Sequence, residues 1–96
     1  MAFIQQVPRL FTRANIEAIG PGQTGVYGIF NQFRWIYVGK GDIRQRLLAH
    51  FNGDKPAILQ AGPTHWVDEV LSDPAMSARE QALIIECNPL CNQRIG

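Results

Sequence analysis

The chain has 96 residues, of which 46% are apolar and 18% charged, and a formal net charge of +1. That length suits one domain near the small end of those that fold without staples, and that balance excludes a disordered chain. Two cysteines are too few for a disulfide framework or a four-cysteine zinc site, no apolar run is long enough to span a bilayer, and the N-terminus lacks a charged stretch followed by an apolar one, so a soluble, intracellular (cytoplasmic) protein with no membrane partner is expected.

The charge is unevenly spread. From Arg34 to His50, Arg34, Lys40, Arg44 and Arg46 stand against Asp42 alone, a local +3. From Val67 to Glu86, Asp68, Glu69, Asp73, Glu80 and Glu86 stand against Arg79, a local −4. A basic site within a near-neutral protein fits a domain that grips phosphates, with Lys40 and Arg44 as substrate-binding candidates, but lacks a broad non-specific footprint on nucleic acid.

In chain order, residues 1–23 read as an N-terminal extension of a single domain spanning 1–96. Phe3, Ile4 and Val7 suggest a short extended lead-in cut off by Pro8. Thr12 is placed to cap a short helix running to Ile19, with Gly20 and Pro21 beyond its end and Ile16 and Ile19 facing inward. None of these residues carries a functional signal.

Gly25 to Phe30 and Trp35 to Gly39 read as two strands of a hairpin, joined by a polar turn at Asn31-Gln32. With the turn centred on Gln32, Tyr27 lies opposite Tyr37 and both phenols share a face; centred between Gln32 and Phe33, they point to opposite faces. The converging register is the expectation. Gly39-Lys40-Gly41 reads as a loop, and Asp42 as the cap of a helix to Phe51, with Gln45 completing a capping-box pattern. Ile43, Leu47, Leu48 and Phe51 form its apolar stripe, with Arg46 and His50 four apart on one flank. After Asn52-Gly53 comes a loop, Asp54 to Pro63, with a helical turn around Ile58. Thr64 to Leu71 reads as a third strand with His65 at the surface.

The last helix has two possible starts. Asp73-Pro74 is a cap followed by proline, and Ser77-Ala78-Arg79-Glu80 is a capping box. Periodicity chooses the first, because Met76, Leu83, Ile84 and Cys87 define one apolar arc with Glu80 at its middle. A carboxylate there is costly unless it is paired or bound to a cation. Asn88-Pro89 stops the helix, and Asn92 follows in a turn. Pro89 separates Cys87 from Cys91, and both read as small packing residues.

Gly25-Val26-Tyr27 on one strand and Tyr37-Val38-Gly39 on the next resemble the paired motif of the GIY-YIG nuclease family, with valine in place of isoleucine in both halves. Lys40, Arg46 and His50 follow in order, then Glu80-Gln81-Ala82-Leu83-Ile84 and Asn88-Pro89-Leu90-Cys91-Asn92, so the resemblance runs from Thr24 to Asn92. It implies a small α/β (α+β) fold, a three-stranded antiparallel sheet flanked by helices. It also implies cleavage of DNA phosphodiesters with a divalent metal, Mg²⁺ or Mn²⁺, in DNA repair or recombination.

Placed on this chain, the resemblance assigns Tyr27, Tyr37, Arg46, His50, Glu80 and Asn92 to the active site, with Lys40 beside it and Glu80 as metal ligand. Arg46 would stabilise the phosphate, and Tyr27, its phenol pKa lowered by Lys40, Arg46 and the metal, would activate water; His50 is the other candidate base, or it would hold Tyr27 by a hydrogen bond. Tyr37 would orient water or phosphate, and Asn92 would hold the site together from behind. Many family members carry a separate DNA-targeting domain; here either the module acts alone with weak sequence preference or a separate targeting protein supplies the address. The alternative is a non-catalytic nucleic-acid- or protein-binding module on the same scaffold. A retired enzyme, however, would be free to lose Glu80 first.

Overall fold

The structure is a computed structural model and describes residues 2–92. Its elements run β1 (Arg9–Leu10), α1 (Arg13–Glu17), β2 (Thr24–Phe30), β3 (Trp35–Asp42), α2 (Ile43–Phe51), α3 (Pro56–Gln60), β4 (His65–Val70), α4 (Ala75–Cys87) and a closing 3₁₀ turn at Leu90–Asn92. The architecture is α+β with one antiparallel sheet, but the sheet has four strands in the order β1-β4-β2-β3 where three were expected. The extra strand is β1, just past Pro8, where Arg9 pairs with Trp66 and Leu10 with His65. Two residues are too few to show an alternating pattern, so this strand leaves no periodic trace in the sequence.

The register of the β2–β3 hairpin departs from the expected one. Tyr27 stands opposite Gly39 and Tyr37 opposite Ile29, while Phe30 pairs with Trp35. Ile36 and Tyr37 therefore share the single partner Ile29, which makes a β-bulge with one extra residue in β3. The bulge interrupts the alternation: Trp35 and Val38 pack on one side of the sheet, Ile36 and Tyr37 on the other. Tyr27 and Tyr37 thus share a face as diagonal neighbours and not as direct partners, with ring centroids 6.3 Å apart.

Gly39-Lys40-Gly41 is strand and not loop, paired in order with Tyr27, Val26 and Gly25. Glycine is needed at position 39 because a Cβ there would collide with the Tyr27 hydroxyl and come within 2.8 Å of Tyr37 Cε2. The hairpin can bring its two phenols together only across a residue with no side chain.

Two apolar clusters sandwich the sheet. On one face Tyr27, Ile29, Ile36 and Trp66 meet Ile16 and Ile19 of the α1 segment, Ile43 and Leu47 of α2 and Ile58 of α3. On the other, Phe3, Val26, Val38 and Val67 meet Leu83, with Met76, Ile84 and Cys87 of α4 packed against them. Each fully buried aliphatic or aromatic side chain contributes about 1.5–3 kcal/mol. The expected arc of α4 is therefore the face it buries.

Local signals set the helix ends. The Thr12 hydroxyl accepts from the Asn15 N–H at 3.2 Å, and the Asp42 carboxylate from the Gln45 N–H at 3.0 Å. At α4 the Asp73 carboxylate accepts from the Ser77 N–H at 2.9 Å, so the helix starts upstream of Ser77 and Glu80 is free of a capping duty. Asn88 closes it at φ 46°, a conformation that asparagine tolerates. Among the described residues no helix is long and apolar enough to cross a membrane.

Candidate active site

The site grows from the face of the sheet that carries both tyrosines. Tyr27 is 1% exposed, and its hydroxyl meets His50 Nε2 at 2.8 Å. His50 was expected on a flank of α2, but it is fully buried and completes the inward face begun by Ile43 and Leu47. A buried imidazole needs partners at both nitrogens. Nε2 has Tyr27, and Nδ1 lies 2.8 Å from Asp54 Oδ1.

Sequence reasoning missed Asp54, which was read as the start of a loop. It is the residue after Gly53, whose φ of 89° ends α2. The Gly53 N–H bonds to the His50 carbonyl at 3.1 Å and the Asp54 N–H to the Ala49 carbonyl at 3.1 Å, the two bonds of a Schellman motif. That motif folds the chain back over its own last turn and sets the Asp54 carboxylate against the His50 ring. The available signal was a histidine and an aspartate four apart across Asn-Gly. The other Asp54 oxygen accepts from Arg46 Nη2 at 3.2 Å.

Burial pushes the Tyr27 phenol well above its usual range, reinforced by Tyr37, although the Arg46 guanidinium pulls it down. Burial also lowers the His50 pKa, outweighing the Asp54 carboxylate, so the ring is neutral near pH 7. Burial would raise the Asp54 pKa, but the hydrogen bond and charge of His50 and the charge of Arg46 hold it below the usual range. An ionised carboxylate only accepts. His50 therefore donates from Nδ1 to Asp54, leaving Nε2 to accept the Tyr27 O–H.

Tyr37 lies edge-on to His50, with centroids 5.0 Å apart, and Lys55 Nζ stands 5.5 Å from its ring centre. It is half-buried; burial raises its pKa, and the charge of Glu80 raises it further, so the carboxylate from α4 lies beside this phenol. Glu80 is itself half-buried, and its carboxylate has no hydrogen bond or ion pair with any described residue. Asn92 sits behind the site, where its side-chain amide both accepts from the Val38 N–H at 2.8 Å and donates to the Val38 carbonyl at 2.9 Å. It acts as a strand-like partner for the outer edge of β3, between Tyr37 and Gly39.

Lys40 is exposed and reaches Ser77 Oγ at 2.6 Å, one turn of α4 before Glu80. Arg44 is not brought into the cluster. It lies about 200° round α2 from Arg46, half-buried, with its Nε buried and unbonded among the described residues. The structure thus gathers Tyr27, Tyr37, Arg46 and His50 around Asp54, sets Glu80 beside Tyr37, and braces β3 with Asn92.

Among the described residues no three of His, Cys, Asp and Glu gather as a closed metal cage. One unspent carboxylate beside a phenol suits instead a hard cation such as Mg²⁺, which keeps most of its waters and takes only one or two protein carboxylates.

No protein-family model matches the chain, and no curated protein sequence matches it. Solved structures do. The GIY-YIG N-terminal endonuclease domain of UvrC from Thermotoga maritima, a point mutant bound to its catalytic divalent cation, matches with a TM-score of 0.72 at 26% identity, over 85% of this chain and 94% of that one. The same domain with magnesium as its catalytic cation matches with a TM-score of 0.72 at 25% identity, over 84% and 94% of the two chains. The resemblance read from the paired tyrosine triplets thus holds in three dimensions, and this chain has the fold of a GIY-YIG endonuclease domain.

Proposed function

We propose that this chain is a metal-dependent endonuclease that hydrolyses DNA phosphodiester bonds, with a role in DNA repair or recombination. The observation that carries this reading is Glu80, a half-buried carboxylate near Tyr37 without a hydrogen bond or ion pair among the described residues. Such a group costs stability unless a cation completes it. Glu80 would hold Mg²⁺ or Mn²⁺, which when bound supplies positive charge to the phosphate and to the attacking water.

The protein groups divide the remaining work. Arg46 spends one nitrogen on Asp54 and keeps its other N–H groups for a bidentate grip on the phosphate as charge builds there. Tyr37 borders Glu80 and is only half-buried, so it would orient the attacking water through its hydroxyl. Tyr27 is sealed within the core, and it serves with His50 as the rigid backing that sets Arg46 and Tyr37. Lys40 and Arg44 contact flanking phosphates, and Asn92 fixes β3. The modest net charge leaves room for a separate targeting protein to supply the address.

The test is cleavage of labelled duplex, flap and single-stranded DNA with Mg²⁺ or Mn²⁺, beside Glu80→Gln and Arg46→Ala. Metal-dependent nicking is expected, lowered by about 10³-fold in Glu80→Gln, while folding is unchanged by circular dichroism. Absence of cleavage together with Mn²⁺ that binds equally well to Glu80→Gln would favour the non-catalytic binding module instead.

A further inference from the structure

We infer that Asp54 is a positioning residue of the site, fixing the direction of the hydrogen-bond chain that runs from Tyr27 through His50 and holding Arg46 with its second oxygen. The catalytic part of this inference rests on the nuclease reading above; the structural part does not.

Three contacts define the geometry. Tyr27 Oη meets His50 Nε2 at 2.8 Å, His50 Nδ1 meets Asp54 Oδ1 at 2.8 Å, and Arg46 Nη2 meets Asp54 Oδ2 at 3.2 Å. Because a carboxylate can only accept, the chain has one direction: Tyr27 O–H to His50, then His50 N–H to Asp54. The hydroxyl proton is thereby turned inward. The Tyr27 oxygen keeps a lone pair on the side of the Arg46 guanidinium, whose charge pulls the phenol pKa down against the effect of burial. Arg46 is then held by Asp54 Oδ2 with the phenol oxygen nearby, and its remaining N–H groups stay free.

The isosteric change Asp54→Asn reverses this logic without removing an atom from the packing. The amide oxygen can still accept from Arg46, but the amide NH₂ then faces His50 Nδ1 as a donor. The ring answers by moving its proton to Nε2, where it donates to the Tyr27 oxygen. The Tyr27 hydroxyl proton turns outward and faces Arg46, donor against donor. A single atom change at Asp54 thus displaces the phosphate-binding arginine through two intervening side chains. Groups that orient a catalytic residue in this way commonly matter at about the 10- to 100-fold level.

Two readouts test the inference on the full chain. The first is the imidazole proton–nitrogen correlation spectrum at neutral pH, which has only His50 and His65 to resolve. The wild type is expected to show His50 protonated at Nδ1, and Asp54→Asn to show it protonated at Nε2. The second is DNA cleavage, where Asp54→Asn is expected to lower kcat by roughly 10- to 100-fold with KM changed less than threefold, and Asp54→Glu to recover part of the loss.

A wild-type His50 protonated at Nε2 would overturn the inference, whether or not the variant folds. So would an Asp54→Asn protein that keeps both the tautomer and kcat. If the wild type does not cleave DNA at all, the nuclease reading fails by itself, and the tautomer spectra still decide whether Asp54 sets the chain.

Discussion

The two sides of the sheet each bind an arginine to a carboxylate, and they do so to opposite ends. On the α4 side, Glu69 is only 8% exposed and its oxygens are spent: Oε1 takes Arg79 Nε at 3.0 Å, and Oε2 takes Arg79 Nη2 at 3.0 Å and the Ile4 N–H at 2.9 Å. Arg79 also donates to the Ala2 carbonyl, which ties the N-terminal lead-in to β4 and α4. On the tyrosine side, Asp54 and Arg46 are each about one-third exposed and joined by a single 3.2 Å contact, which leaves guanidinium donors free. Glu80, the residue next to Arg79, has no partner among the described residues. A closed network locks backbone elements together. An open one has donors left for a substrate and a carboxylate left for a cation.

The largest expected effect that sharpens this contrast is on stability. Arg79→Met strands a buried carboxylate and is expected to cost about 3 kcal/mol, read by urea unfolding. Below the shifted transition the protein should still cleave DNA at nearly the wild-type rate. Glu80→Gln should do the reverse, sparing or raising stability while removing cleavage. A stable Arg79→Met, or a destabilised Glu80→Gln, would dissolve the distinction between the closed and the open side.

Acid separates the two sides as well. In the folded protein Glu69 is held below its ordinary 4.5: burial opposes this, but the Arg79 hydrogen bond and the Ile4 N–H prevail. A depressed carboxylate contributes stability that is present above the unfolded value and is lost as pH falls through the folded one. His50 is depressed below its ordinary 6.5 by burial, so the unfolded chain takes up a proton that the folded chain refuses. Its contribution is full above 6.5 and fades as pH falls below it. Stability is therefore expected to decline in two stages on acidification, the site first and the Glu69 network later. In His50→Gln the first stage should vanish and the second remain. A single decline starting below 4.5 in the wild type would show that His50 does not couple to folding.

Much of this contrast could be read from the sequence, and the parts that could not share a cause. The cap at Asp42, the upstream start of α4 and the stop at Asn88 are encoded by residues within a few positions of one another, and the structure matches them closely. Glu80 stood out because its place on an apolar arc had no local explanation. The Tyr27–Tyr37 pairing was misplaced because the bulge at Ile36 breaks the two-residue period on which any register argument depends. His50 looked like a flank residue because burial of an imidazole depends on a partner, and that partner lay beyond a glycine turn. Asp54 could be seen only by treating Gly53 as part of the helix ending, with its carboxylate folded back over the last turn.

The smallest expected effect concerns Arg44, which belongs to neither network. Its Nε is buried without a partner among the described residues, an arrangement that costs roughly 1–3 kcal/mol in the free protein. Such a cost is tolerable if a DNA phosphate satisfies the guanidinium on binding. Replacing Arg44 with methionine keeps most of the side-chain stem, so the fold should hold or gain slightly. Removing one phosphate contact should lower the salt slope of DNA affinity by about 1 and raise KM a few-fold, with kcat unchanged. A salt slope equal to that of the wild type, with the same gain in stability, would make Arg44 an unpaired donor of the scaffold and limit the DNA-binding surface to Lys40 and the residues around Tyr37.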